Sequence, residues 1–88
     1  MNRIAVIFTI NTDIVPENFQ DILKHEKEVV AQWKDAGYLD HMFLRQTKNG
    51  AVLVFKDMDE AKVNTLMETL PLYQYKKSIE VLSLIKQF

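Results

Sequence analysis

Glu26 interrupts an apolar helical stripe. From Phe19 to Trp33 the apolar residues are Phe19, Ile22, Leu23, Val29, Val30 and Trp33. Their spacing is i, i+3, i+4, i+10, i+11, i+14, one face of an α-helix. The position missing from that face is i+7, and it is Glu26. At about 100° per residue its side chain points close to the centre of the stripe. A carboxylate aimed at a core is costly unless it is paired, hydrogen-bonded or protonated. Burial raises a carboxyl pKa toward the working pH, which suits a group that takes and gives protons. Glu26 is therefore the candidate catalytic base and acid. The competing reading is a structural carboxylate paired with Arg3, Arg45 or a lysine at a helix or subunit contact.

Four further residues are candidates for holding a substrate. His41 and Arg45 fall on one strand with Leu39 and Phe43, four alternate positions expected to share a face. A His and an Arg side by side bind a substrate carboxylate or steady an enolate oxygen; otherwise they are a hydrogen-bonded strand His and an edge Arg. Tyr73 and Tyr75 follow a helix, next to Lys76 and Lys77. Their hydroxyls and a lysine would close a pocket over an anion, or their rings would pack at a subunit contact. His25 adjoins Glu26 but points about 100° away on the helix wheel. Trp33 and Met67 lie on helical stripes and read as core. With two His not in ligand spacing and no Cys, no metal site is expected. There is no glycine-rich phosphate loop and no arguable Ser-His-Asp set.

These residues need elements to place them. Arg3–Ile10, rich in Ile, Val, Phe and Thr, reads as a strand. The apolar run is short, and Asn11-Thr12-Asp13 follows without a small-residue cleavage site, so it is not read as a signal peptide. Pro16 suits the first turn of a helix that runs to about Ala36, where Gly37 supplies a stop. Tyr38–Gln46 is a second strand, and Asn49-Gly50 is a hairpin signal because it tolerates positive φ. Ala51–Lys56 is a third strand. Asp57 with Glu60 three residues on resembles a helix-starting cap. Val63, Leu66, Met67 and Leu70 then trace a second amphipathic helix, ended by Pro71. Leu72–Lys77 is a loop and Ser78–Ile85 the last strand.

The order β-α-β-β-α-β is the ferredoxin-like split βαβ arrangement, an α+β fold with two helices on one face of a four-stranded antiparallel sheet. At 88 residues, residues 1–88 form a single domain. The chain is 48% hydrophobic with only two Gly and two Pro, which excludes a disordered chain. A net charge of −1 with scattered Lys and Arg argues against a nucleic-acid partner. Nothing approaches a membrane-spanning length, and the cytoplasm is the expected location.

The strands also speak to assembly. The first reads Ile4, Val6, Phe8, Ile10 on one side and Ala5, Ile7, Thr9 on the other. The third, Ala51–Phe55, is apolar throughout. A sheet with one wet face alternates more cleanly. Both faces need cover, the helices supply one, and a second copy of the chain related by a twofold axis is the simplest cover for the other. A homodimer at least is expected.

The chain resembles the muconolactone delta-isomerase family. The matching residues are Glu26-Lys27-Glu28, Gly37, His41, Phe55, Thr65-Leu66-Met67, Leu70-Pro71-Leu72, Tyr75 and Ile79-Glu80-Val81. From Glu26 to Leu72 the sequence lies on the family pattern without a gap, and the first strand matches by type. The resemblance implies a dimeric α/β barrel, often assembled into a decamer, with no cofactor. It also implies a reaction that moves a double bond in a small acidic lactone during aromatic-ring breakdown, with Glu26 as the acid and base. Departures fall near the expected pocket. Leu39 and Phe43 stand where the family pattern carries Trp, and the segment between Leu72 and Ile79 is one residue longer, with Lys76-Lys77. The wider set of small dimeric α/β barrels also holds cofactor-independent oxygenases and proteins without assigned chemistry, so fold alone does not determine the reaction. An oxygenase calls for an aromatic-lined pocket. A non-enzymatic binding or assembly module calls for a fully ion-paired Glu26 with no cavity beside it.

Overall fold

A computed structural model of the chain describes residues 2–88. The elements are β1 (Asn2–Ile10), α1 (Phe19–Asp35), β2 (Leu39–Leu44), β3 (Gly50–Lys56), α2 (Glu60–Glu68), a single 3₁₀ turn (Tyr73–Tyr75) and β4 (Lys76–Ile85). The sheet order is β2-β3-β1-β4, with every neighbouring pair antiparallel. This is the expected α+β, ferredoxin-like arrangement.

Cross-strand register sorts the side chains into two faces. On the helix side Ile4, Val6 and Phe8 of β1 stand opposite Phe55, Leu53 and Ala51 of β3, and opposite Ser83, Val81 and Ile79 of β4. Trp33 of α1 and Val63 and Met67 of α2 complete this core, which continues into Leu70 and Leu72. The Trp33 and Phe55 rings meet at a centroid distance of 5.6 Å and an angle of 54°, a tilted packing favoured by ring quadrupoles. Trp33 and Met67 are thus core residues.

The helix ends follow local chemistry. α1 closes in a Schellman motif: the Tyr38 N–H donates to the Trp33 carbonyl at 2.9 Å and the Gly37 N–H to that of Lys34 at 3.1 Å. Gly37 takes φ 80°, the left-handed conformation this motif requires. The N-terminus differs from expectation. Pro16 lies in a preceding turn, its carbonyl accepting from the Phe19 N–H, and the helix begins only at Phe19. The cap of α2 is Asp59 rather than Asp57; its side chain accepts from the Lys62 N–H at 2.8 Å. β3 ends at Lys56, and Asp57, at φ 58°, is spent on reversing the chain.

Two departures bear on the site. A bulge between Leu39 and His41 leaves Asp40 without a register partner. Leu39, Met42 and Leu44 pair with Phe55, Leu53 and Ala51 on the helix side, whereas His41 and Phe43 pair with Val54 and Val52 on the opposite face. Leu39 therefore does not share a face with His41 and Phe43: one inserted residue reverses the alternation. In the β2–β3 hairpin the left-handed residue is Lys48, at φ 61°, and not the Asn49-Gly50 pair. Gly50 is required for another reason, because a Cβ there would collide with the Phe8 carbonyl oxygen across the β1–β3 pairing. The segment expected to be a loop over Leu72–Lys77 is the 3₁₀ turn, and β4 starts at Lys76.

Candidate active site

Glu26 is 8% exposed, more buried than the stripe residues Ile22, Leu23, Val29 and Val30 beside it. α1 lays its apolar face on the sheet, and Glu26, at the middle of that face, goes down with it. Its Oε1 accepts a hydrogen bond from the backbone N–H of Leu72 at 3.1 Å. Oε2 has no partner. Because no fully buried side-chain oxygen or nitrogen among the described residues lacks one, Oε2 is the oxygen that stays accessible. Burial pushes the carboxyl above its ordinary value, opposed in part by the Leu72 N–H and by the charge of nearby His25.

Within one copy of the chain, Glu26 forms none of the pairings of the structural reading among the described residues. Arg3 is held by Asp40, Nε to Oδ2 at 3.0 Å, and the Arg45 guanidinium donates to Thr9 Oγ1 at 3.1 Å. Among the described residues no Lys, Arg or His forms an ion pair with Glu26.

A cavity of about 920 Å³ opens between α1 and the β2 side of the sheet, and Glu26 is in its wall. Phe8, Phe19, Leu23, Val30, Met42 and Leu72 supply much of its apolar surface. His41 and Arg45 line it along the edge strand β2, with the His41 ring stacked on Phe43 at 6.0 Å and its Nε2 3.5 Å from Asp40 Oδ2. The Arg3 hydrogen bond, followed by the charges of His41 and other cations, holds the Asp40 carboxyl below its ordinary value. Tyr73 and Tyr75 are placed elsewhere. They pack half-buried against the core on the 3₁₀ turn, outside the lining of this cavity, with the Lys76 ammonium 4.0 Å from the Tyr73 ring centroid. Glu26, His41 and Arg45 thus all border this cavity, but the β2 register turns His41 to the opposite face of the sheet beside Phe43, and the Arg45 guanidinium reaches Thr9 on that face; the two tyrosines lie outside the lining.

Several lining residues were not singled out from the sequence. Lys27, Ala31 and Lys34 of α1 line the cavity, and their 4- and 3-residue steps place them on one helical face beside the Glu26 stripe, a readable signal. Lys48 also lines it, but its position depends on the path of the hairpin and carries no sequence signal. A wall of apolar side chains, a carboxyl of raised proton affinity and a cationic rim suits a small apolar anion whose carbon acid faces Glu26.

No curated protein sequence matches the chain. Among solved structures it is similar to muconolactone isomerase, at 25% identity and a TM-score of 0.76, over 97% of this chain and 90% of that one. It shares its fold with a 5-chloro-2-hydroxyhydroquinone dehydrochlorinase from Burkholderia phenoliruptrix, solved with 2,5-dihydroxybenzoquinone (11% identity, TM-score 0.62, 91% and 90% of the two chains). It also shares it with an antibiotic biosynthesis monooxygenase (14%, TM-score 0.64, 98% of each). The family model of muconolactone delta-isomerase matches residues 3–87. With that match spanning nearly all of its length, the chain belongs to the muconolactone delta-isomerase family.

Proposed function

We propose that this chain is a cofactor-free isomerase that shifts a carbon–carbon double bond in a small acidic lactone by moving one proton. The observation that carries the reading is Glu26: a buried carboxyl without an ion pair, one oxygen held by the Leu72 N–H and the other accessible, on a residue that lines the cavity. In the reaction Glu26 takes a proton from the carbon beside the lactone carbonyl, giving a dienolate. Electron density moves along the conjugated system, and Glu26 returns the same proton to the far carbon. No atoms are gained or lost. A base of raised pKa serves both steps, since it holds the proton long enough to give it back. In this reading His41 and Arg45, at the β2 edge of the cavity, steady the developing negative charge once Arg45 turns from Thr9 and His41 turns inward from the opposite face.

Two features favour this over an oxygenase or a binding module. The cavity wall is mainly aliphatic and cationic, with Phe8 and Phe19 as its carbocyclic aromatic rings. Glu26 also lacks the ion pairing that a purely structural carboxylate would have. Self-association belongs to the same proposal. The sheet face away from the helices carries apolar residues that a second copy would cover, as a homodimer or a larger assembly.

The test is Glu26→Gln, which keeps size and the Oε1 acceptor but removes the base. Loss of general-base catalysis lowers kcat by about 10²–10⁴-fold, with KM little changed, when muconolactone isomerisation is followed by absorbance. A folded variant that isomerises at the native rate would overturn the assignment.

A further inference from the structure

The hairpin between β2 and β3 places its left-handed residue where the side chain is ill suited to it. Lys48 has φ 61°, a region that Gly and Asn occupy readily and that a long side chain occupies at a cost. Asn49 and Gly50 follow immediately in the sequence, yet neither takes the left-handed position. The turn is well tied. The Lys48 N–H donates to the Arg45 carbonyl at 2.9 Å, the Arg45 N–H to that of Gly50 at 2.9 Å, and the Ile10 N–H to that of Asn49 at 2.7 Å. Strain that the surroundings hold in place is a pointer to use.

The use is suggested by what Lys48 borders. It lines the Glu26 cavity, and α1 adds Lys27 and Lys34 to the lining. Among the described residues none of these three ammonium groups has a carboxylate within 4.0 Å. Of the carboxylates in the lining, Asp40 is paired with Arg3, and Glu26 is bonded through one oxygen to the Leu72 N–H. Arg45 is committed to Thr9. A chain of net charge −1 thus gathers uncommitted positive charge at one apolar cavity.

We propose that Lys48 is a specificity-determining residue, held in its strained turn so that its ammonium receives the anionic group of the ligand at the cavity wall. The assignment rests on the cavity being the site of the small acidic substrate. An ammonium on a fixed turn and a carboxylate in a partly desolvated cavity form a charge-assisted pair. The neutral ester of the same acid gains nothing from it.

The experiment uses phenylacetate and methyl phenylacetate, an apolar acid and its neutral ester that contain no lactone, titrated into the native protein and followed by NMR shifts. The variants are Lys48→Asn and Lys48→Gly, which keep the left-handed turn, and Lys77→Asn, which makes the same charge change on an exposed residue outside the cavity. The native protein and Lys77→Asn prefer the acid. Both Lys48 variants lose about tenfold of that preference, equivalent to about 1.4 kcal/mol, while their melting temperatures hold or rise. Native protein without a preference for the acid, or Lys48 variants that keep it in full, would sink the assignment. A preference that behaves as described in a protein that does not isomerise muconolactone would remove the proposed reaction and leave the Lys48 assignment standing.

Discussion

The backbone N–H of Leu72 donates to Oε1 of Glu26 at 3.1 Å across 46 positions of the chain. This bond ties the segment after α2 to the middle of α1 and leaves the second carboxylate oxygen accessible, on a residue that lines the cavity. Glu26→Gln keeps an acceptor for Leu72, whereas Glu26→Ala leaves that N–H without its partner. An unmet buried donor costs about 1–3 kcal/mol, eased here where cavity water reaches it. The Ala variant is therefore expected to be about 1–2 kcal/mol less stable than the Gln variant in urea unfolding at neutral pH. Equal midpoints and slopes would mean that the bond contributes nothing to the fold.

The raised Glu26 pKa makes stability depend on pH with a definite sign. Burial, the main cause, favours the protonated form in the folded chain over the unfolded one, whose ordinary value is 4.5. Stability from this group is fully present below pH 4.5 and is lost as pH rises through the folded value. Glu26→Gln cannot ionise and escapes that loss. Its melting temperature relative to the native chain should climb as pH is raised from 4 toward neutrality, then level off. A difference that is flat, or that falls, over this interval would contradict the raised pKa. If Glu26 is the base of the proposed isomerisation, activity runs the other way, since the base must be ionised: kcat/KM is expected to fall on acidification, with a midpoint above the ordinary value of 4.5.

The chain's two glycines separate conformational strain from steric exclusion. Gly37 has φ 80° with nothing within 4 Å of the position a Cβ would take. Gly37→Ala therefore carries only the left-handed penalty, about 1–2 kcal/mol. At Gly50 the added Cβ meets the backbone of Phe8 and Thr9, which cannot move without parting β1 from β3. Gly50→Ala should cost more than about 3 kcal/mol, seen as a chain that loses cooperative unfolding or accumulates poorly. Gly50→Ala with a midpoint at or above that of Gly37→Ala would contradict this.

The parts of the site legible in the sequence are those written in helical periodicity and local chain stops. Glu26 stood out because six apolar neighbours defined a face, and Gly37 because a helix needed an end. The β2 residues were harder. Whether His41 shares a face with Leu39 depends on one extra residue, Asp40, and the bulge is decided by pairing with β3 rather than by any local signature. Arg3 and Asp40, 37 positions apart, meet only once β1 and β2 flank β3. The Asn-Gly pair marked the hairpin correctly, but the need for glycine at position 50 came from the close approach of Phe8, a tertiary constraint, and the left-handed residue is Lys48. Tyr73 and Tyr75 show the limit of reading aromatic residues near a helix end. The chain there coils into a 3₁₀ turn and tucks both rings against the core.

The sheet face away from the helices leads to a prediction about assembly. Register places Ala5, Ile7, Val52, Val54, Leu82 and Leu84 together on it, with Phe43 of β2 alongside at 58% exposure. A contiguous apolar patch of this kind is characteristic of an interface rather than of a wet sheet face. Among the described residues the charges near these positions are Arg3, His41 when protonated, Lys56, Glu80 and, at the Thr9 end, Arg45, and Arg3 is paired with Asp40. The native chain is expected to sediment as a dimer or larger species at micromolar concentration. Val54→Lys puts a charge at the centre of the patch, between Ala5 and His41, on the side away from the core. It should therefore shift the chain toward monomer while the far-ultraviolet circular dichroism stays native. A native chain that sediments as a monomer, or a Val54→Lys variant that associates as the native chain does, would show that this face is not where copies meet.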